Sequence, residues 1–128
     1  MNDEERSQLN DLTEKVIGAA FEVSNQLGAG FLEKVYQNAL VHELTLRGLE
    51  AKCEEPVLVN YKGVCIGSYS PDILVGSRLI VELKCCDALQ PEHLAQCLNY
   101  LKATGLPLAL LMNFQKAKVE IKRVVLNF

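Results

Sequence analysis

Apolar residues in the first quarter of the chain recur mostly three or four positions apart. Leu9, Leu12, Val16, Ala19, Ala20, Val23 and Leu27 fall on one face of a helix, which predicts an amphipathic first segment. Gly28 stands where a helix C-terminus favours a left-handed residue. After Gly30 the helical spacing resumes. Leu32, Val35, Tyr36, Ala39, Leu40 and Leu44 form the expected apolar side of a second helix, and Gly48 ends it.

Beyond Gly48 the period changes to two. Val57, Val59 and Tyr61 alternate with Leu58 and Asn60, and Lys62-Gly63 predicts a turn into a strand over 64–69. Two short apolar strands follow, 72–75 and 79–83, joined by Gly76-Ser77 as a two-residue hairpin turn. Pro91 suits the first turn of a third helix, with Leu94, Cys97, Leu98 and Leu101 on one side and Gly105 at its end. The run 108–112 is apolar at every position, as a central strand covered on both faces must be. Val119 and Ile121 alternate with Lys118, Glu120 and Lys122, which predicts an outer strand with one wet face. A meander of strands followed by a helical crossover implies a mixed sheet with helices packed on it, an α/β (α+β) fold.

Length and composition bound this picture without altering it. The 128 residues suit one ordinary domain spanning 1–128, and 49% apolar with 23% charged residues is the balance of a folded protein. A net charge of −3 exerts no overall pull on nucleic acid or anionic lipid, so a polyanion site must be local. Glu14, Lys15, Glu22 and Asn25 interrupt the first apolar stretch, which excludes a signal segment and a membrane span; the expected compartment is the cytoplasm. Cys53, Cys65, Cys85, Cys86 and Cys97 form no CxxC and no paired zinc spacing, so reduced thiols packed as small hydrophobes are expected. Cys85-Cys86 as a thiol-redox pair has no activating cation except Lys84.

Asp72 and Glu82 are the informative acids, because each lies in an apolar strand where a carboxylate is costly unless paired or bound to a cation. Folding the two strands antiparallel brings both acids to one end. Lys84, two residues past Glu82, leaves the same face. Two carboxylates and an ammonium can hold a hard divalent cation and orient a water. The same pattern also describes a buried ion pair between Glu82 and Lys84 with Asp72 on the rim.

Pro71-Asp72, nine residues, then Glu82-Leu83-Lys84 resembles the PD…(D/E)xK pattern of the PD-(D/E)XK nuclease-like superfamily. The element order is similar to that superfamily's restriction-endonuclease-like core, preceded by an extra N-terminal helix. Gly30-Phe-Leu-Glu33-Lys-Val-Tyr36 resembles the segment that names the GxxExxY family, and Gln96-Cys-Leu-Asn-Tyr100 resembles the QxxxY motif of RecB-type nucleases. The resemblance implies that Asp72, Glu82, the Leu83 carbonyl and Glu33 hold Mg2+ or Mn2+. It further implies that Lys84 polarises the attacking water or stabilises charge developing at the phosphate, and that Gln96 and Tyr100 orient the lysine or a phosphate. The implied activity is phosphodiester hydrolysis of DNA, or of RNA; the short chain and its acidic net charge lead us to expect a homodimer or a partner protein supplying substrate binding. The alternative is a non-enzymatic nucleic-acid-binding or protein-interaction module that keeps the fold.

Several of these residues also have plain structural readings. Glu33 suits a helix N-terminus through the macrodipole. Tyr36 suits a core aromatic with a satisfied hydroxyl. Gln96 suits a solvated helix face, as does His93, and His42 has no chemical context. The basic run Lys116, Lys118, Lys122 and Arg123 either tracks a phosphate backbone or protects an edge strand from pairing.

Overall fold

The computed structural model describes residues 1–128. Helix α1 spans Asp3–Leu27. Asn2 caps it by accepting the Glu5 N–H (2.8 Å), and Asp3, Glu4 and Glu5 complement the dipole in its first turn. Its buried face is the predicted one, Leu9, Leu12, Val16, Ala19, Ala20 and Val23, and Gly28 leaves the helix at a φ of 68°.

Helix α2, Glu33–Leu46, is rotated from the expected orientation. Tyr36, Gln37, Leu40 and Leu44 face inward, whereas Leu32 is 79% and Val35 39% exposed. The reason is Gln37, only 4% exposed, whose side-chain amide donates to the Asp72 carbonyl (3.0 Å). That bond offsets the burial of a polar group and turns the helix toward it.

The main sheet runs β1-β4-β5-β6-β7. Its strands are β1 (Ala51–Cys53), β4 (Ile73–Val75), β5 (Leu79–Lys84), β6 (Leu108–Asn113) and β7 (Glu120–Val125). The pair β5–β6 is parallel and every other pair antiparallel. The expected continuous meander does not form. Strands β2 (Val57–Tyr61) and β3 (Val64–Tyr69) make a separate two-stranded sheet, because β1 pairs with β4 on the side away from β5. This hairpin leaves Leu58, Tyr61, Val64 and Ile66 exposed. The β4–β5 connection is also one residue longer than expected. Val75 pairs with Leu79, and Gly76 and Ser77 both take positive φ while the Arg78 N–H donates to the Val75 carbonyl (3.1 Å).

Helix α3 spans Pro91–Thr104, with proline in its first turn and Gly105 in the left-handed region at its end. His93 Nδ1 accepts the Gln90 N–H (2.9 Å), so this histidine serves the helix start. Alternate residues of the two central strands fill opposite layers. Leu79, Val81, Leu83, Leu108, Leu110 and Met112 pack under α1 and α2, while Ile80, Ala109 and Leu111 pack with Cys97 and Leu101 of α3. The all-apolar run over 108–112 is thereby accounted for. No helix is long and apolar enough to cross a membrane.

Candidate active site

Strand register brings the two informative acids together. Ile73 lies opposite Val81 in the antiparallel β4–β5 pair, so Asp72, just before β4, faces Glu82. The Asp72 N–H donates to Glu82 Oε1 (3.2 Å), and the Leu83 N–H donates to Asp72 Oδ2 (2.8 Å). Each carboxylate thus accepts one backbone N–H, and the two side chains also lie within hydrogen-bond reach of each other. Glu82 is only 7% exposed, and burial together with the neighbouring Asp72 carboxylate raises its pKa well above the carboxylate range. The Asp72 N–H and Lys84 oppose that rise.

Glu82 and Lys84 alternate with Leu83, which packs under α1 and α2, so both project on the α3 side of the sheet. Lys84 belongs to none of the ion pairs in the structure, and the alternative of a direct Glu82–Lys84 pair is not what forms. Its ammonium instead opposes the upward shifts at Glu33, Glu82 and Cys97. The backbone beyond it is pinned. Phe114 N–H donates to the Lys84 carbonyl (2.9 Å), and buried Asn113 both accepts from the Cys86 N–H (3.2 Å) and donates to its carbonyl (2.8 Å).

Glu33 opens α2 at the rim. Partial burial raises its carboxyl, as does the nearby charge of Asp72. Tyr36 is fully buried and stacks on Phe114 at 4.8 Å, so it is a core aromatic. Its hydroxyl donates to the Gly28 carbonyl and accepts the Phe31 N–H (3.2 Å). Gln96 is exposed and its side chain makes no hydrogen bond within the protein. Tyr100 stacks face to face on Tyr69, with centroids 3.6 Å apart and planes at 13°. Both tyrosine hydroxyls are raised by burial and by Glu82.

The basic run does not gather at the acids. Lys118 lies over the Phe21 ring and Arg123 donates to Asn10 Oδ1 (2.7 Å), both turned toward α1. Lys122 lies opposite Leu111, which lies opposite Glu82, so it alone of the strand's cations shares the acids' row. All five cysteines are free. Burial and then Glu33 raise the Cys85 thiol, and burial pushes Cys97 up to about 12, so neither is an activated thiolate.

Sequence reasoning missed three contributors: Gln37, Asn113 and Tyr69. A polar residue flanked by apolar ones signals Asn113 at the end of β6. Nothing in the local pattern signals Tyr69.

No set of three or more His, Cys, Asp or Glu side chains is assembled as a metal cage. Two adjacent carboxylates do suit a hard ion such as Mg2+, which binds through one or two carboxylates and keeps several waters.

Residues 10–124 match the family profile described as the PD-(D/E)XK nuclease superfamily. No curated protein matches the sequence. Among solved structures, the chain is similar to an alkaline exonuclease (LHK-Exo) from Laribacter hongkongensis, with 17% identity and a TM-score of 0.53. That match covers 72% of this chain and 55% of the exonuclease. It is also similar to SSO0001, with 16% identity and a TM-score of 0.54, over 72% of this chain and 48% of that one. The chain spans about half the length of these two structures, and the likeness is one of fold.

Proposed function

The chain belongs to the PD-(D/E)XK nuclease superfamily, and from that premise we propose that it hydrolyses phosphodiester bonds of DNA with a divalent cation held at Asp72 and Glu82. The observation that carries the reading is the opposed acid pair, each member held by one backbone N–H, beside an unpaired Lys84. A cost is attached to burying Glu82 there, and a bound cation would offset it.

The residues that would hold the ion are Asp72, Glu82 and the Leu83 carbonyl, with Glu33 reaching from the rim directly or through water. Mg2+ or Mn2+ bound there supplies Lewis-acid charge at the scissile phosphate. Lys84 brings a point charge to the same face, where it stabilises negative charge that develops in the transition state. The Leu83 N–H fixes the Asp72 carboxylate, and the Asp72 N–H fixes Glu82, so the acids are oriented before any substrate arrives. Gln96 and Tyr100, four apart on α3, would orient Lys84 or a substrate phosphate. The glycine, glutamate and tyrosine at 30, 33 and 36 further suggest the GxxExxY branch of the superfamily. Because the chain covers about half of its structural neighbours, the proposal includes a second copy or a partner that supplies part of the substrate grip.

A second reading, a non-enzymatic binding module, rests on the lack of a three-side-chain metal cage. One assay separates the two. Labelled single-stranded DNA, duplex DNA and RNA are incubated with purified protein in Mg2+, Mn2+ or EDTA. Cation-dependent DNA fragments from the parent, and none from Glu82→Gln, support the nuclease. Binding without cleavage under every cation supports the module, and cleavage of RNA alone replaces the DNA assignment.

A further inference from the structure

Tyr69 Oη is buried and has no hydrogen-bond partner within the protein. A phenol hydroxyl in that state loses its water contacts and gains nothing in exchange, so it stands out among the polar groups near the site. Its surroundings give it a direction. Tyr69 ends β3, and only Ser70 and Pro71 separate it from Asp72. Its ring is held by the Tyr100 ring at 3.6 Å. Tyr100 lies one helical turn beyond Cys97, and Cys97 and Leu101 pack on Ile80 and Leu111, the face from which Glu82 projects. Two independent constraints, the short tether to Asp72 and the stack on α3, therefore keep this hydroxyl on the acids' side of the sheet.

We infer that Tyr69 is a positioning residue for Glu82, its hydroxyl donating to the Glu82 carboxylate when a divalent cation occupies the site. The inference rests on the reading of Asp72 and Glu82 as cation ligands. Glu82 Oε1 already accepts the Asp72 N–H, which leaves Oε2 as the oxygen without a fixed direction. Carboxylates that bind a metal are themselves commonly hydrogen-bonded, which sets their orientation. Burial first, and then the Glu82 charge, raise the Tyr69 hydroxyl, so the phenol stays a protonated donor. Tyr100 acts one step further out, as the platform that holds the Tyr69 ring.

Tyr69→Phe isolates the hydroxyl, because the ring and its stack on Tyr100 are kept. Mn2+ binding to the intact protein is measured by calorimetry, with thermal melts in EDTA as the control for folding. The expected result is a Tm equal to or above the parent's, since an unpartnered hydroxyl is removed, together with Mn2+ affinity weakened about tenfold or more. Equal Mn2+ affinity in Tyr69→Phe and parent overturns the positioning role and leaves the cation site standing. A lower Tm in EDTA overturns it too, because the hydroxyl then serves the metal-free fold. A parent that binds no Mn2+ overturns both the site and the role of Tyr69, an outcome distinct from the other two.

Discussion

The Tyr36 hydroxyl closes the loop between the first two helices on itself, donating to the Gly28 carbonyl while accepting the Phe31 N–H. The loop it clamps leads directly into Glu33, so the tyrosine sets where that acid begins its helix. Tyr36→Phe keeps the stack on Phe114 and removes only these bonds. The expected cost is on the order of 1–2 kcal/mol, seen as a Tm lowered by a few degrees in thermal melts. An unchanged Tm would show that the loop is held by its backbone alone.

Acidity at Glu82 has a definite sign in stability. Its folded-state pKa is raised, to about 8, above the unfolded value of 4.5, so the folded chain binds the extra proton between those values. Stability from this group is fully present below about 4.5 and is lost as pH rises toward 8. Glu33 is raised in the same direction. The Tm of metal-free protein is therefore expected to fall from pH 5 to pH 8, and Glu82→Gln to flatten that dependence. Parallel pH profiles for the two proteins would refute the assignment.

Asp72→Asn tests the acid pair by stability alone. The amide oxygen can still accept the Leu83 N–H, while the charge that helps push Glu82 toward its protonated form is gone. In EDTA the variant is expected to melt at or above the parent temperature. Millimolar Mn2+ should raise the parent Tm, with a gain of about 1.4 kcal/mol at ten times the dissociation constant, and leave the variant nearly unmoved. A variant destabilised in EDTA, beside a parent that ignores Mn2+, would make the pair a structural feature.

Lys84 and Gln96 are expected to separate activity from stability. Gln96 is exposed with no side-chain hydrogen bond, so alanine there should shift stability by no more than about 0.5 kcal/mol. Lys84→Ala also removes the charge that opposes the rise at Glu82, so its folding is compared by melts at pH 5, where folded Glu82 is protonated. Lys84→Ala should lower cleavage about a hundredfold or more. Gln96→Ala should weaken cleavage far more than it moves Tm. Cleavage at the parent rate by Lys84→Ala would remove the lysine from the mechanism.

The meeting of Asp72 and Glu82 was legible because local rules agree there. Apolar strands, a Gly-Ser turn and antiparallel folding all demand the same register, and the structure differs only in adding Arg78 to the loop. The buried strand over 108–112 was legible for the same reason. What escaped was decided by distant partners. Gln37 reads as a solvated residue until the Asp72 carbonyl is placed against it, and with it the rotation of α2 that exposes Leu32 and Val35. Strand β1 is three residues long, too short to show a period, yet it takes the sheet edge that the hairpin was expected to fill. Tyr69 sits in an otherwise exposed strand, and its meaning depends on Tyr100 in another element.

The most direct measurement is anomalous diffraction from a crystal soaked in Mn2+. The expected result is a single strong peak between Asp72 and Glu82, within about 2.0–2.6 Å of an oxygen of each carboxylate and of the Leu83 carbonyl. A fully soaked crystal with Mn2+ bound only elsewhere, and the acid pair still without an ion, would contradict the account.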